Sequence, residues 1–167
     1  MRLGAVAALR QTLDTFLRDF VDGRILVHVQ LASVVSLTMA YLWLWEQAAD
    51  FAEVEVLQAG AAAGLKKLAG YSKIYPIGRP SWQICLAWQA FLRGQKTEAV
   101  EVMQTAVQLA EQLEMPYEAA LARYHAGRFA GGEQGKELLE TAVATFAQFG
   151  LAWETGEAQA AMTHLSA

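Results

Sequence analysis

Apolar residues recur at three- and four-residue steps along most of the chain, and they do so most sharply between Glu98 and Glu114. There Ala99, Met103, Ala106, Val107, Ala110 and Leu113 share one side, while Glu101, Gln104, Gln108, Glu111 and Gln112 point away. That pattern predicts an amphipathic helix buried along a single stripe. A second helix is predicted before it, over Trp82 to Arg93, and the Gly94-Gln95-Lys96-Thr97 turn between them supplies a glycine able to end a helix in the left-handed conformation. The stretch from Ile77 to Pro116 therefore reads as a helical hairpin. Pro116 opens another pair, Tyr117 to Phe129 and Lys136 to Phe149, the latter with Leu138, Leu139, Ala142, Val143, Phe146 and Phe149 on its apolar face and Gly150 at its end. A last helix, Ala152 to Leu165, is expected to cap the array. Trp82-Gln83 is echoed by Tyr117-Glu118 35 residues on and by Trp153-Glu154 36 residues further. A period of that length points to stacked helix pairs.

The first half follows the same logic with longer arms. Ala5 to Phe20 carries Leu9, Leu13, Phe16, Leu17 and Phe20 at helical spacing and predicts a surface helix. Ile25 to Trp45 is a 21-residue run without a formal charge, long enough to span a bilayer. His28, Gln30, Ser33, Ser36 and Thr38 interrupt it, however, and Val27, Leu31, Val34, Val35, Leu42 and Trp45 gather on one arc. A buried inner helix is the expectation. Phe51 to Leu68 follows, with Asp50 as its N-cap and an end at Gly70; its Gly60 and Gly64, among alanines, form a small-residue face that lets a neighbouring helix approach closely. Pro76, Gly78 and Pro80 make Tyr71 to Ser81 a connector.

Composition narrows the functional classes. The 167 residues are 54% hydrophobic and 18% charged, which suits one domain of buried helices, and the net charge of -4 has no basic block to track nucleic acid. Cys85 is the only cysteine, so no internal disulfide forms, and His28, His125 and His164 show no paired-ligand spacing. Gly131 to Glu137 brushes against a phosphate-binding loop, but Ala130 and Glu137 stand where the first glycine and the hydroxyl belong. No cofactor, metal or catalytic residue is expected, and a weak N-terminal apolar run makes a poor signal peptide, so the expectation is a cytoplasmic protein that is not an enzyme.

Gly94, Ala99, Met103 and Ala106, with Leu86 and Ala87 before them, resemble a tetratricopeptide repeat: a turn glycine followed by small, large and small residues at matching offsets. Gln83, Ala90 and Glu111 stand where that repeat usually has tryptophan, tyrosine and proline. The run from Tyr75 to Pro80, then Leu92-Arg93-Gly94, Ala110 to Glu118 and Phe146 to Gly150, resembles the C-terminal repeat region of bacterial multidomain predicted ATPases of the STAND-like signalling type. Members of that family often carry adenylate or guanylate cyclase or protein kinase domains. The resemblance implies a piece or relative of a signalling scaffold, and it carries no catalytic residue over.

The expected fold is all-α, a tetratricopeptide-like α-solenoid of stacked antiparallel hairpins forming one domain over 1–167, with repeats near 24–70, 77–115 and 116–150 and the terminal helix 152–165. Such stacks offer extended concave surfaces, so the expected function is protein-protein interaction, with a separate protein or neighbouring domains of the same polypeptide as partner, and self-association through the apolar surface. Trp88, Arg123 and Gln159 occupy matching positions on successive first helices and are the candidate groove residues; core packing is the competing reading of Trp88. A different reading makes the chain a small-ligand sensor, with Tyr41, Trp43, Trp45 and His28 lining an apolar pocket near 25–45.

Overall fold

The computed structural model describes residues 28–165 together with Gln11, Thr12 and Thr15. The surface helix expected over Ala5 to Phe20 lies outside the described residues apart from those three, as does the start of the run from Ile25. Every regular element among the described residues is helical. They are α1 (His28–Gln47), α2 (Phe51–Ile74), a 3₁₀ turn (Pro76–Gly78), α3 (Arg79–Leu92), α4 (Lys96–Gln112), α5 (Pro116–Ala130), α6 (Gly132–Gln148) and α7 (Ala152–Leu165). None of the described helices is long and apolar enough to cross a membrane. Contacts divide the chain into two compact units, the second beginning at Arg79.

In the first unit α1 packs on α2. Asp50 caps α2 as its sequence position suggests, accepting from the Ala52 amide at 3.1 Å. Gly60 and Gly64 form the close approach: a side chain at Gly60 would overlap the Tyr41 ring, and one at Gly64 would overlap Thr38. Tyr41, Leu42 and Thr38 are buried there, and the Thr38 hydroxyl donates to the Val34 carbonyl at 2.6 Å, so the polar atom enters the interior already satisfied. The buried arc of α1 is wider than its sequence pattern suggests, since Leu37 and Leu44 are buried as well.

The connector is shorter than expected. α2 continues through Gly70 to Ile74, where the Ser72 hydroxyl donates to the Leu68 carbonyl at 2.7 Å, and α3 begins at Arg79. Pro80 falls in the first turn of α3, where a missing N–H and a fixed φ are no handicap.

In the second unit each of α3 to α7 packs on its neighbour in the chain, and α3 also touches α5 while α5 touches α7. The buried positions recur along it. Ala87 on α3, Ala122 on α5 and Ala158 on α7 are fully buried; Ala99, Met103 and Ala106 on α4 are matched by Gly135, Leu139 and Ala142 on α6. Small residues at these points let the helices close on each other, and the larger Met103 and Leu139 fill what is left. Ala120, Ala142, Phe146 and Ala158 make one core cluster, tying α5, α6 and α7 together. α6 starts at Gly132, four residues before the expected Lys136, because Gly131 alone makes the turn from α5.

Three helix ends in this unit close in one way. The amides of Gln95, Met115 and Leu151 donate back to the carbonyls of Ala90, Ala110 and Phe146, at 3.0, 2.8 and 2.9 Å. Each closure needs a left-handed residue just before the returning amide, and Gly94 (φ 82) and Gly150 (φ 69) supply it. The third is Glu114, at φ 55, where a side chain is disfavoured. Glu114→Gly is therefore expected to raise stability by about 0.5 to 1 kcal/mol, the relief of the left-handed side chain outweighing the extra unfolded-state freedom of glycine. Urea denaturation of wild type and variant checks the sign.

Candidate functional site

The i, i+3 and i, i+4 spacing of a helix sets Trp88 and Phe91 in a row on α3, and Tyr124, His125, Arg128 and Phe129 in a row on α5. The two rows meet. Phe91 stacks on Phe129 with centroids 4.0 Å apart and planes 10° from parallel, and Trp88 lies 4.4 Å from the His125 ring at 42°. Tyr124 meets His125 nearly edge-on at 4.9 Å, and the Arg128 guanidinium stands 5.4 Å from the Tyr124 ring centroid. Aromatic contacts of this kind are worth about 0.5 to 1.5 kcal/mol each beyond the area they bury.

His125 is the chemically unusual member. It is 3% exposed, and burial first, then the charge of Arg128, lowers its pKa to about 3. The imidazole is therefore neutral at physiological pH. Arg128 Nη1 lies 3.5 Å from its Nδ1, and a guanidinium can only donate.

An open cleft of about 430 Å³ lies where the end of α4 turns into α5. Glu111, Glu114, Met115, Pro116, Arg123 and Thr145 line it. Arg123 pairs with Glu111 across the turn, with their side chains 20% and 53% exposed. The ion pair and Glu114 at the rim give the cleft charged groups of both signs, an arrangement that can recognise a polar or charged side chain.

The three residues singled out by position thus have different surroundings. Trp88 is buried, at 5% exposed, against His125; Arg123 is held by Glu111 at the cleft; Gln159 is exposed on α7. The helices that carry them touch in series, α3 to α5 and α5 to α7. The sequence suggests only a structural role for His125 and does not join Phe91 and Phe129 to it. One signal was available: Ala90 stands in the tyrosine position of the repeat pattern, and 35 residues later the same position holds the aromatic His125. Beside Trp88 the buried Gln89 keeps its Nε2 amide without a hydrogen-bond partner.

For the sensor reading, Tyr41 and Trp45 are buried and Trp43 is 47% exposed, while the side chain of His28 lies outside the described residues. Cys85 is buried on α3, and burial pushes its thiol up to about 12, which keeps it protonated and unreactive. Among the described residues no three histidines, cysteines or carboxylates gather in a way that could hold a metal ion. Comparison of the chain with family models, with curated proteins and with solved structures gives no match.

Proposed function

We propose that the chain is a tetratricopeptide-like stack of helical hairpins that works as a non-catalytic interaction or scaffold module, in the cytoplasm, within or beside a signalling protein of the ATPase or cyclase type. The observation that carries the reading is the recurrence of the fully buried set, Ala87, Ala122 and Ala158 on alternate helices with Ala99, Met103 and Ala106 repeated as Gly135, Leu139 and Ala142 between them. A chain that spends its small residues on repeating one packing unit produces an extended surface, and extended surface serves binding.

The partner is a protein surface or a neighbouring domain of the same polypeptide, met by the side of the stack that presents Arg123 and Gln159. Trp88 is buried against His125 and is not part of that side. Quantitative cross-linking in a lysate of the host tests this with Arg123→Glu and Gln159→Lys, neither of which removes a buried side chain. Loss of the same cross-linked protein from both variants is expected; an unchanged set of cross-links at unchanged thermal stability overturns the assignment.

A further inference from the structure

The receiving face of α5 is filled and the corresponding face of α7 is open. On α5, Ala120 is fully buried in the cluster with Ala142 and Phe146, and Gly127 lies so close to α6 that an added side-chain carbon would stand 2.7 Å from the Gly135 carbonyl. On α3 the matching residues are Cys85, fully buried, and Leu92, partly buried. A shift of 36 residues carries Ala120 and Gly127 onto Gly156 and Thr163 of α7. Both are exposed, and among the described residues nothing stands within 4 Å of where a side chain at Gly156 would begin. Beside them Ala160 is exposed and Trp153 is 72% exposed, whereas the opposite side of α7, at Ala158, is fully buried against α5 and α6.

We infer that this face of α7 is a docking seat for one more helix of the α4 and α6 kind, an amphipathic helix with a small residue, a large apolar residue four positions on and a small residue three beyond that. The inference rests on the repeat register proposed above and adds an occupant to it. It continues an interface present twice in the same unit, α4 on α3 and α6 on α5. A helix whose outer face met only water would carry long polar side chains along its middle. Between the exposed Glu157 and Gln159, α7 carries a strip of glycine and alanine with an exposed indole at the edge, which is the composition of a surface that another helix approaches closely. Thr163 carries a side chain where α5 has Gly127 against α6, so the docked helix comes nearest at Gly156 rather than at the far end. Burial of Trp153 accompanies docking and supplies most of the apolar area.

The probe is a capped peptide of residues 132–148, titrated into the full chain while tryptophan emission is recorded. A saturable blue shift below about 1 mM is expected, lost in Trp153→Phe, with affinity weakened about tenfold or more in Gly156→Leu. Gly156→Leu alters an exposed position, and a peptide with Leu139→Glu leaves the folded chain untouched, so its failure to bind cannot be blamed on unfolding. No saturable shift, or binding indifferent to both substitutions, overturns the inference. So does sedimentation of the chain as a dimer from which the peptide displaces nothing, because the seat then belongs to a second copy. The titration contains no cellular partner, so its failure is distinct from a failure of the cross-linking test on Arg123 and Gln159.

Discussion

Acidification is expected to destabilise the part of the chain that begins at Arg79, and to do so far less in His125→Phe. Burial holds His125 at a pKa of about 3, whereas an unfolded histidine titrates near 6.5. Between those values the unfolded chain binds a proton that the folded chain refuses, so the contribution is intact above about pH 6.5 and falls as pH drops toward about 3. Each pH unit in that window removes roughly 1.4 kcal/mol, against a typical domain stability of about 5 to 15 kcal/mol. By about pH 4 the loss is on the order of 3 kcal/mol. The groups facing the imidazole are the rings of Trp88, Tyr124 and Phe129 and the guanidinium of Arg128, and none of these offers a carboxylate to offset the new charge. Phenylalanine keeps a flat ring between Trp88 and Phe129 and removes the titration. Urea denaturation at a series of pH values checks this: parallel pH profiles for the two proteins would show that His125 does not set the acid limb.

Alanine in place of glycine is expected to have opposite signs at two helical positions. At Gly127 the new carbon would lie 2.7 Å from both the Gly135 carbonyl oxygen and Leu139 Cγ, so α5 and α6 must move apart. Overpacking of this kind costs about 1 to 3 kcal/mol, and because one of the two obstacles is backbone the upper half of that range is expected at Gly127. At Gly156 nothing among the described residues lies within 4 Å, and the better helix propensity of alanine is gained without a clash, worth up to about 1 kcal/mol. Thermal denaturation of the two variants side by side decides it. A Gly127→Ala protein as stable as wild type would mean that the α5–α6 crossing is looser than its geometry indicates.

Where a helix has one face against the core and one against water, its sequence is readable. α4 is the clearest case: Ala99, Met103, Ala106 and Ala110 are buried and the intervening glutamates and glutamines are not. The close approach at Gly60 and Gly64 was legible for a related reason, since two glycines four apart among alanines leave one side of a helix nearly bare. Boundaries were harder. Gly70, Pro80 and the glycines from 131 to 135 read as breakers, yet Gly70 and Gly135 lie inside helices and Pro80 lies in a first turn, positions at which these residues do not stop a helix. The site was less legible still, because the surroundings of Trp88 are fixed by His125, 37 residues away, and no local pattern reports a contact between alternate helices. Likewise the charge of Arg123 suggests an open surface, but Glu111 on the preceding helix already answers it.

The brevity of the links from α3 to α7 bears on how this unit reaches its structure. Gly131 is the sole residue between α5 and α6, and the other three turns hold three residues each. Every helix finds its main neighbour next to it in the chain, so little loop entropy opposes each pairing and no distant strand must be awaited. Refolding of this unit from urea should be fast, in the microsecond-to-millisecond range of helical domains rich in local contacts. During synthesis, each hairpin can pair as soon as its second helix has left the ribosome.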